Sequence, residues 1–398
     1  MFSKLSKKTL IKASLFKNNP VYVQFYITAR CNLTCEQCNI IYANSDVREC
    51  TLDEIKIIAD NMAEMGVAIV LLTGGEPFAR KDLPEIIYAF ESRGVHVRMQ
   101  TNGFASEEQI IKSIEAGGKD ISISLDSLTP VSQDKINGGF NDSWHQALKT
   151  MSLFTKHLPK NDSFASLGCV FQPYNLSDIE NVIKFGTAAS WYTSLVPVHV
   201  TDNVHPTGFR TFDSDLKFKS EEIERAYELI ERVRVMRKEG FLLYDSDQYL
   251  DDIKKFINNE DITWRNKNNG VCDSPNLYFA VLPNGEFSPC CDFRVDNSYP
   301  LYSDNFIDNF NSKKFKNEVY DVTSSCDGCM YGSYPEITIS MRFLAAKIQR
   351  AKTFFDPRKQ SKNWPLSYED LLSIAEKIQK NNVVKIKSRK RKKIFKLA

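Results

Sequence analysis

Residues 21–38 read VYVQFYITARCNLTCEQC, an apolar run typical of a buried strand followed at once by three closely spaced cysteines. Cys31, Cys35 and Cys38 have the spacing C-x3-C-x2-C. Three thiolates are one fewer than the four that complete an ordinary iron–sulfur cluster or a structural zinc site. The triplet therefore indicates a 4Fe-4S cluster with one iron open to a small molecule, and a zinc site completed by a distant residue is the alternative.

Short apolar runs alternate with amphipathic stretches from this first run to about residue 200. We predict strands at Val21–Ile27, Ala68–Thr73, Val95–Thr101, Asp120–Leu125, Ala165–Val170 and Tyr192–Val200. We predict helices between them at Leu52–Met65, Leu83–Arg93, Glu107–Ala116, Trp144–His157 and Leu176–Gly186. Alternation of this length predicts parallel strands with right-handed crossovers, and about six such units favour an α/β partial barrel over a doubly wound sheet.

Two of the earlier helices open with capping boxes, at Thr51–Glu54 and Ser106–Gln109. The later part of the chain has a different pattern. From about Gly270 the segments become short and rich in cysteine, proline and asparagine, with a hairpin signal at Pro283–Gly285. The remaining predicted elements are helices at Ser220–Glu239, near Ser246–Asn259, at Ser340–Phe355 and at Ser367–Asn381, and a basic tail without regular structure at Lys385–Lys396.

These changes of pattern divide the chain into five predicted segments. They are a basic N-terminal segment (1–20), a barrel (21–215), a helical linker (216–269), a small cysteine-rich module (270–335), and C-terminal helices with a basic tail (336–398).

Composition and charge exclude several classes of protein. The formal net charge of the 398 residues is only +2, which gives no general attraction to nucleic acid. No apolar run is long enough to span a membrane. The ten cysteines occur without a recognisable export signal, so metal ligation in a reducing cytosol is a better interpretation than disulfide bonding. We therefore expect a cytoplasmic protein that binds no nucleic acid.

A second motif, TGGEP at Thr73–Pro77, follows the second predicted strand. Paired glycines let the backbone approach a ligand closely, although the motif alone could be a simple turn. CNLTCEQC and TGGEP in this order resemble the radical S-adenosylmethionine (SAM) superfamily. The resemblance covers about Val21–Val200 and extends through three further segments and one asparagine: Thr101–Gly103, Ser124–Ser127, Val196–Val198 and Asn175.

The resemblance implies a partial (β/α)6 TIM-like barrel with its cofactors at the carboxyl ends of the strands. Cys31, Cys35 and Cys38 would hold three irons of the cluster, and SAM would chelate the fourth. The implied SAM contacts are the backbone of Gly74, Gly75, Glu76 and Pro77 for the methionine amino group, Ser124 and Asp126 for the methionyl or ribose part, and Asn175 for the adenosine. One electron would cleave SAM to a 5′-deoxyadenosyl radical that abstracts a substrate hydrogen.

This sequence departs from the superfamily pattern at two positions. The residue before the third cysteine is often aromatic there and is Gln37 here, which puts adenine stacking at that point in doubt. An arginine often follows the Ser-Leu-Asp segment by about ten residues, whereas this stretch reads Asp134–Asn137. No arginine role is therefore assigned to Asn137.

A second set of cysteines lies in the later module: Cys272, Cys290, Cys326 and Cys329. Four thiolates around a hairpin suit zinc or a 4Fe-4S cluster. The region, and PNGEFSPC in particular, resembles the SPASM/twitch modules of the superfamily. That resemblance implies one fully ligated auxiliary 4Fe-4S cluster, used for electron transfer or for shaping the substrate pocket.

The other cysteines and two histidines have less specific roles. Cys291 could be a packed thiol, could replace Cys290 as a ligand, or could donate a hydrogen atom to a substrate radical. Cys50 and Cys169 are expected to be packed thiols. For His199 and His205, a surface or hydrogen-bonded histidine is the first interpretation and a substrate contact is the alternative.

The function predicted from the sequence is that of a radical SAM enzyme with an auxiliary cluster. A ribosomally made peptide is the first substrate class, although about twenty residues before the first strand are too few for a leader-peptide-binding domain. The alternatives are dehydrogenation of an aminosugar-type alcohol, C–H functionalisation of a lipid or polyprenyl substrate, and a metal-bearing interaction protein that is not an enzyme.

Two kinds of partner follow from this function and from the charge pattern. An electron donor such as flavodoxin or ferredoxin is expected. The basic termini, interleaved with apolar residues at both ends, are compatible with peripheral contact to an anionic membrane.

Overall fold

Parallel pairing of consecutive strands builds the central sheet. A computed structural model describes residues 3–16, 19–40, 47–202, 210–265, 272–355, 363–380, 384–387 and 392–395. The strands are β1 (Tyr22–Thr28), β2 (Ile69–Gly74), β3 (His96–Thr101), β4 (Asp120–Ser124), β5 (Phe164–Phe171), β6 (Tyr192–Pro197), β7 (Tyr278–Val281), β8 (Phe287–Ser288), β9 (Val384–Lys387) and β10 (Lys392–Phe395).

Helices follow most of the strands. They are α1 (Lys4–Phe16), α2 (Leu52–Glu64), α3 (Leu83–Glu91), α4 (Glu107–Glu115), α5 (Pro130–Ile136), α6 (Ser143–His157), α7 (Ile179–Ala188), α8 (Ser220–Glu239), α9 (Asp247–Ile257), α10 (Phe306–Asn311), α11 (Lys313–Ser324), α12 (Ser333–Arg342), α13 (Leu344–Phe355) and α14 (Tyr368–Gln379).

The sheet has the order β6-β5-β4-β3-β2-β1-β7-β8, and β1 to β6 are all parallel. This order confirms the predicted α/β partial barrel, because each strand lies beside its neighbour in sequence. The predicted strands agree with the observed ones to within a residue, except that β6 ends at Pro197 and not at Val200. Val200 instead forms an isolated parallel bridge with Thr211.

Alternate side chains of β1 enter two different cores. Val23, Phe25 and Ile27 pack in the large cluster that the helices cover. Tyr22 and Tyr26 belong to a separate interior cluster inside the barrel. This alternation follows from the two-residue period of a strand, and it makes both faces of the sheet buried, as in other parallel sheets.

The two predicted capping boxes have different outcomes. Thr51 and Glu54 form the complete box at the start of α2. At α4 the Ser106 hydroxyl accepts a hydrogen bond from the Gln109 N–H, but the Gln109 side chain donates to the carbonyl oxygen of Arg80 at 2.6 Å. The second box is therefore only half formed, because a tertiary acceptor takes the glutamine amide.

The cysteine-rich region continues the barrel sheet through its hairpin. β7 pairs in parallel with β1, with Tyr22 opposite Tyr278, and β8 pairs antiparallel with β7. Gly285 has φ +84° in the predicted turn, a conformation that favours glycine. The boundaries of the five segments remain a prediction.

The C-terminal elements differ from the sequence prediction in two places. The helix predicted at Ser340–Phe355 is two helices, α12 and α13, because Phe343 adopts an extended conformation with φ −111° and ψ 116°. The tail predicted to lack regular structure contains β9 and β10, which pair antiparallel. Within the described residues, no helix has both the length and the apolar content needed to cross a membrane.

A buried carboxyl joins the linker region to the barrel. Asp245 lies before α9, and its oxygens accept hydrogen bonds from the Leu195 N–H at 2.7 Å and the Ser194 hydroxyl at 2.8 Å. Burial raises the pKa of Asp245 to about 7, and the Glu336 carboxyl nearby adds to this effect. The folded protein therefore holds a proton on Asp245 at pH values where the unfolded chain does not.

This difference predicts a pH dependence of stability. The folded-state pKa of Asp245 is above its unfolded value, so the free energy of unfolding should fall as the pH rises from about 4 to about 7, by on the order of 4 kcal/mol. Asp245→Asn removes the ionisation, and the Ser194 hydroxyl can turn to accept from the new amide. We expect a flatter pH profile for this variant in urea unfolding at several pH values. Asp53→Asn, at an exposed position, is the control; equal slopes for Asp245→Asn and the native protein would contradict the prediction.

Candidate active site

The three cysteines of the first motif lie in the loop that leaves the carboxyl end of β1. The Leu33 N–H donates to the Cys31 sulfur at 3.4 Å, and the Cys38 N–H donates to the Cys35 carbonyl oxygen at 3.1 Å. Burial raises the pKa of the Cys35 thiol, and the charges of Cys38, Asp126 and Cys31 raise it further. The three thiols and the Asp126 carboxyl therefore share one site.

The TGGEP turn packs directly against the start of this loop. The Gly75 N–H donates to the Thr28 carbonyl oxygen and the Glu76 N–H to the Arg30 carbonyl oxygen, both at 2.8 Å. A Cβ on Gly74 would lie 2.1 Å from the Thr28 oxygen, and one on Gly75 would lie 2.1 Å from the Arg30 oxygen. Both positions need glycine because two backbone segments meet there without space for a side chain.

The Glu76 side chain holds two loops together. Its carboxylate accepts hydrogen bonds from the Phe78 N–H at 2.9 Å and the Asn102 N–H at 2.7 Å. Burial raises the pKa of Glu76 to about 7. Because both oxygens have partners in the protein, the side chain of Glu76 positions the TGGEP and Thr101–Gly103 loops, and only its backbone faces the cysteine loop.

Asn102 contacts a cysteine of the triplet. Its amide Nδ2 lies 3.6 Å from the Cys31 sulfur and 2.8 Å from Asn32 Oδ1. The sequence placed Asn102 in a recognisable motif but assigned it no role. A hydrogen bond to a metal-ligating sulfur orients the ligand and tunes the metal.

We expect Asn102→Ala to weaken iron retention about 10- to 100-fold, since partners of metal ligands typically have effects of this size. The measurement is iron per chain after reconstitution and challenge with increasing chelator. Asn181→Ala is the matched control, because the Asn181 amide on α7 donates to Asp178, the residue before that helix. Equal chelator resistance of Asn102→Ala and the native protein would show that the contact has no influence on the site.

Asn137 lies behind the cysteine loop. The Cys35 thiol donates to Asn137 Oδ1 at 3.5 Å, and Asn137 Nδ2 donates to the Ser143 hydroxyl at 2.9 Å. The Glu36 N–H also donates to the Ile136 carbonyl oxygen at 3.4 Å. The superfamily pattern drew attention to this position only because an arginine is often found there, and the contact of Asn137 with Cys35, 102 residues away, was not predicted.

Asp126 is buried between the cysteine loop and β5. Its Oδ1 accepts from the Val170 N–H at 2.6 Å and its Oδ2 from Gln37 Nε2 at 3.4 Å. Burial raises the pKa of Asp126 to about 7. Gln37, the residue that replaces the common aromatic, therefore connects the cysteine loop to Asp126.

Asn175 and Ser124, the other two predicted SAM contacts, differ in how far the protein uses their side chains. Asn175 Nδ2 donates to the carbonyl oxygens of Asp126 at 2.8 Å and Val170 at 2.7 Å, and its Oδ1 accepts from the Gln172 N–H. Ser124 ends β4 and is half-buried. Asn175 thus braces the Asp126 backbone, whereas the Ser124 hydroxyl has no hydrogen bond among those described.

The four later cysteines also come together. Burial raises the pKa of the Cys290 thiol, and Cys326 and Cys272 are among the charges that raise it further. Cys326 and Cys290 act in the same way on Cys329. Cys272, Cys290 and Cys329 also pack against the same interior cluster of the barrel, so these three lie close together, and Cys326 is near enough to raise the pKa of Cys290 and Cys329.

The type of metal site depends on whether several thiols bind one metal ion or each thiol binds a separate iron of a cluster. No three His, Cys, Asp or Glu side chains in the described part of the chain are arranged to hold one metal ion. A 4Fe-4S cluster has a different requirement, because each thiolate binds its own iron. Three thiols in one loop and four around the hairpin are donor sets that suit such clusters.

The three remaining cysteines, Cys50, Cys169 and Cys291, are all buried. This confirms the prediction that Cys50 and Cys169 are packed thiols. Cys291 belongs to the interior cluster of the barrel together with Tyr26 and Tyr334. Burial raises the pKa of the Cys291 thiol, and the neighbouring Asp292 and Cys290 raise it further. Cys291 therefore faces the barrel interior beside the second cysteine set, and all three of its predicted roles stay open.

His199 has both ring nitrogens occupied within the protein. Its Nε2 accepts from the Met330 N–H at 2.9 Å, so Nδ1 is the nitrogen that donates to the Pro197 carbonyl oxygen at 2.8 Å. The ring stacks on Tyr331 at 3.8 Å, and burial lowers the pKa of His199. The histidine is thus a buried link between β6 and the loop of Cys329. His205 lies outside the described residues.

Two consecutive residues, which the sequence did not single out, connect the two cysteine sets. The Thr211 hydroxyl donates to the Glu36 carbonyl oxygen, between Cys35 and Cys38, at 2.7 Å. Arg210 Nε donates to the buried Asp292 carboxylate at 2.7 Å, just after the second set's hairpin. One short segment therefore fixes the distance between the two candidate metal sites.

Comparison with known proteins agrees with this geometry. Residues 25–186 match the model of the radical SAM superfamily. A probable GTP 3′,8-cyclase of Sulfolobus acidocaldarius is 38% identical over 113 residues, which are 28% of this chain and 36% of that protein. A PqqA peptide cyclase of Xanthomonas oryzae pv. oryzae is 32% identical over 122 residues, 30% of this chain and 32% of that protein. The chain thus spans about a third of the length of these relatives.

Solved structures of low sequence identity share the fold over most of the chain. Streptococcus suis SuiB bound to its precursor peptide SuiA has a TM-score of 0.58 at 16% identity, covering 83% of this chain and 77% of SuiB. anSMEcpe with bound AdoMet and the Cp18Cys peptide has a TM-score of 0.54 at 14% identity, covering 90% of this chain and 99% of that one. The likeness extends beyond the barrel to the later part of the chain.

Proposed function

From the premise that this chain belongs to the radical SAM superfamily, we propose that it is an enzyme that cleaves SAM reductively and modifies a ribosomally made peptide. Members of the superfamily use a 4Fe-4S cluster and SAM. When bound, these cofactors supply the electron and the 5′-deoxyadenosyl radical that abstracts a hydrogen atom from the substrate.

The packing of TGGEP against the cysteine loop is the observation that carries the proposal. The hydrogen bonds from Gly75 and Glu76 use the N–H groups of the turn, and Pro77 has none. Between Gly75 and Pro77 the turn therefore has no N–H group left for a ligand, and its backbone can offer carbonyl oxygens there. Carbonyl oxygens beside three thiolates suit an amino group, which is the part of SAM that this turn would hold.

Other residues of the chain would position the nucleoside and exclude water. Cys31, Cys35 and Cys38 would bind three irons, and Ser124 offers an unused hydroxyl at the end of β4. The buried carboxyl of Asp126 is fixed by Val170 and Gln37. Asn175 would act indirectly on the nucleoside, because its side chain donates to the Asp126 carbonyl oxygen and holds that backbone in place.

We assign the second cysteine set to an auxiliary 4Fe-4S cluster. Cys272, Cys290, Cys326 and Cys329 supply four thiolates, so every iron has a protein ligand. A cluster without an open iron suits electron transfer or the shaping of the substrate pocket. Flavodoxin or ferredoxin is the proposed class of electron donor.

Anaerobic reconstitution tests the proposal. With iron, sulfide, SAM and dithionite we expect about eight irons per chain and formation of 5′-deoxyadenosine, measured by chromatography. Fewer than about four irons together with bound zinc would contradict the auxiliary cluster. A fully loaded protein that forms no 5′-deoxyadenosine would contradict the enzymatic proposal.

The peptide substrate is the most specific part of the proposal. The matched relatives include cyclases named for GTP and for a peptide, so the matched segment is common to enzymes with different substrates. The fold shared with two structures that contain peptides supports the peptide class. A peptide encoded beside this gene should increase 5′-deoxyadenosine formation and be altered in mass or stereochemistry; stimulation by an aminosugar alone would favour the alternative.

A further inference from the structure

Two helices cover the barrel end opposite the cysteine loop. α1 lies at the starts of β2 and β3, where the Ser6 hydroxyl contacts the carbonyl oxygens of Ala68 at 2.8 Å and Gly94 at 3.0 Å. α13 lies at the start of β6, where the Tyr192 hydroxyl donates to the Thr353 carbonyl oxygen at 3.2 Å. Strand starts lie at one end of a parallel barrel and the cysteine loop follows a strand end, so both helices lie at the far end from the site.

The helix α12 connects these two helices. Leu10 and Ala13 of α1 pack in one apolar cluster with Ile337 and Met341 of α12. α13 begins directly after the extended residue Phe343. The outer sides of α1 (4–16) and α13 (344–355) thus belong to one continuous end of the molecule, called the basal face below.

The basal face exposes large apolar side chains. Ile11, Leu15 and Phe16 are exposed by 65%, 68% and 66%, and Leu344 and Ile348 by 72% and 46%. The four-residue spacing within each helix places Ile11 with Leu15, and Leu344 with Ile348, on one side. Exposed apolar groups arranged in this way mark an interaction surface more often than scattered ones do.

The same helices carry only positive charge. Residues 4–16 contain four lysines, residues 344–355 contain two lysines and one arginine, and neither segment contains aspartate or glutamate. The whole chain has 52 basic and 50 acidic residues. Lys7, Lys8 and Lys12 are exposed beside the apolar stripe of α1. Arg350 donates to the Tyr244 carbonyl oxygen and lies over the Tyr244 ring, so the positive charge of this face comes from its lysines.

We propose that the basal face binds the surface of an anionic lipid bilayer. Apolar side chains on such helices enter the boundary between headgroups and acyl chains, while lysines pair with anionic headgroups. A second copy of the chain fits less well, because a twofold interface would set the lysines of one copy against those of the other.

This docking orients the enzyme. With α1 and α13 on the lipid, the loop of Cys31, Cys35 and Cys38 faces the aqueous side. The bound enzyme would take its substrate from water near the membrane, which suits a peptide better than the acyl part of a lipid. The docking is independent of the proposed radical chemistry, because binding needs neither cluster nor SAM.

Vesicle co-sedimentation of the full chain tests the proposal. The probes are vesicles of phosphatidylcholine with and without phosphatidylglycerol, at low and high salt. The variants are Lys7→Gln with Lys8→Gln and Lys12→Gln, and Leu15→Ser with Phe16→Ser. Val235→Ser, at an exposed apolar position of α8, is the matched control. Circular dichroism checks that each variant remains folded.

We expect binding only to the anionic vesicles and less of it at high salt. The triple lysine variant should bind on the order of a hundredfold more weakly, since each of the three lysines near an anionic surface contributes about fivefold. Leu15→Ser with Phe16→Ser should also bind more weakly, and Val235→Ser should bind normally. Equal binding to both vesicle types, or unchanged binding of folded lysine and apolar variants, would overturn the proposal. Loss of binding only on deletion of residues 385–398 would also overturn it.

Discussion

Replacing Cys31, Cys35 and Cys38 together by alanine is expected to remove about half of the bound iron and all SAM cleavage. The three thiols lie in one loop and would supply all the protein ligands of the first cluster. The second set lies on a different segment, so its iron should remain. Iron analysis and 5′-deoxyadenosine measurement after anaerobic reconstitution give the two readouts.

The controls for this variant separate ligation from folding. Cys50→Ala removes a buried thiol that belongs to neither set, and it should keep the full iron content and the cleavage activity. Replacing the four cysteines of the second set should give the complementary loss of about half of the iron. SAM cleavage by the first triple variant would contradict the central proposal.

Gly75→Ala is expected to destabilise the protein and to prevent loading of the first cluster. The new Cβ would lie 2.1 Å from the Arg30 oxygen and 2.4 Å from the Arg30 carbonyl carbon. Backbone atoms cannot turn aside as a side chain can, so TGGEP and the residue before Cys31 must separate. Overpacking typically costs about 1 to 3 kcal/mol, and we expect the upper end of this range because the contact is with backbone atoms. Urea unfolding and iron per chain measure the two effects.

Gly168→Ala is the matched control for this substitution. Its Cβ would meet only the Ser122 hydroxyl, at 3.5 Å, which is an ordinary contact. We expect a much smaller change in the free energy of unfolding and normal iron loading. Equal stability of Gly75→Ala and Gly168→Ala would mean that the two loops can separate without cost.

Much of the fold could be predicted because it depends on local pattern. The alternation of residues in β1 and the capping box at Thr51–Glu54 operate over a few residues, and the structure has both. Predictions failed where distant groups competed for the same atoms. Gln109 donates to Arg80 and not to its own helix start, and the extended Phe343 divides a helix that periodicity alone would continue.

The sequence by itself determined the βα alternation, both cysteine sets and the TGGEP turn, because residue spacing along the chain is enough to specify them. Only the tertiary structure decided which groups meet across long separations. It placed Asn102 at Cys31, joined β7 to β1, and used Arg210 and Thr211 to connect the two cysteine sets. It also placed α1 and α13 at the same end of the barrel. These contacts come from packing of the whole sheet, which no short stretch of sequence encodes.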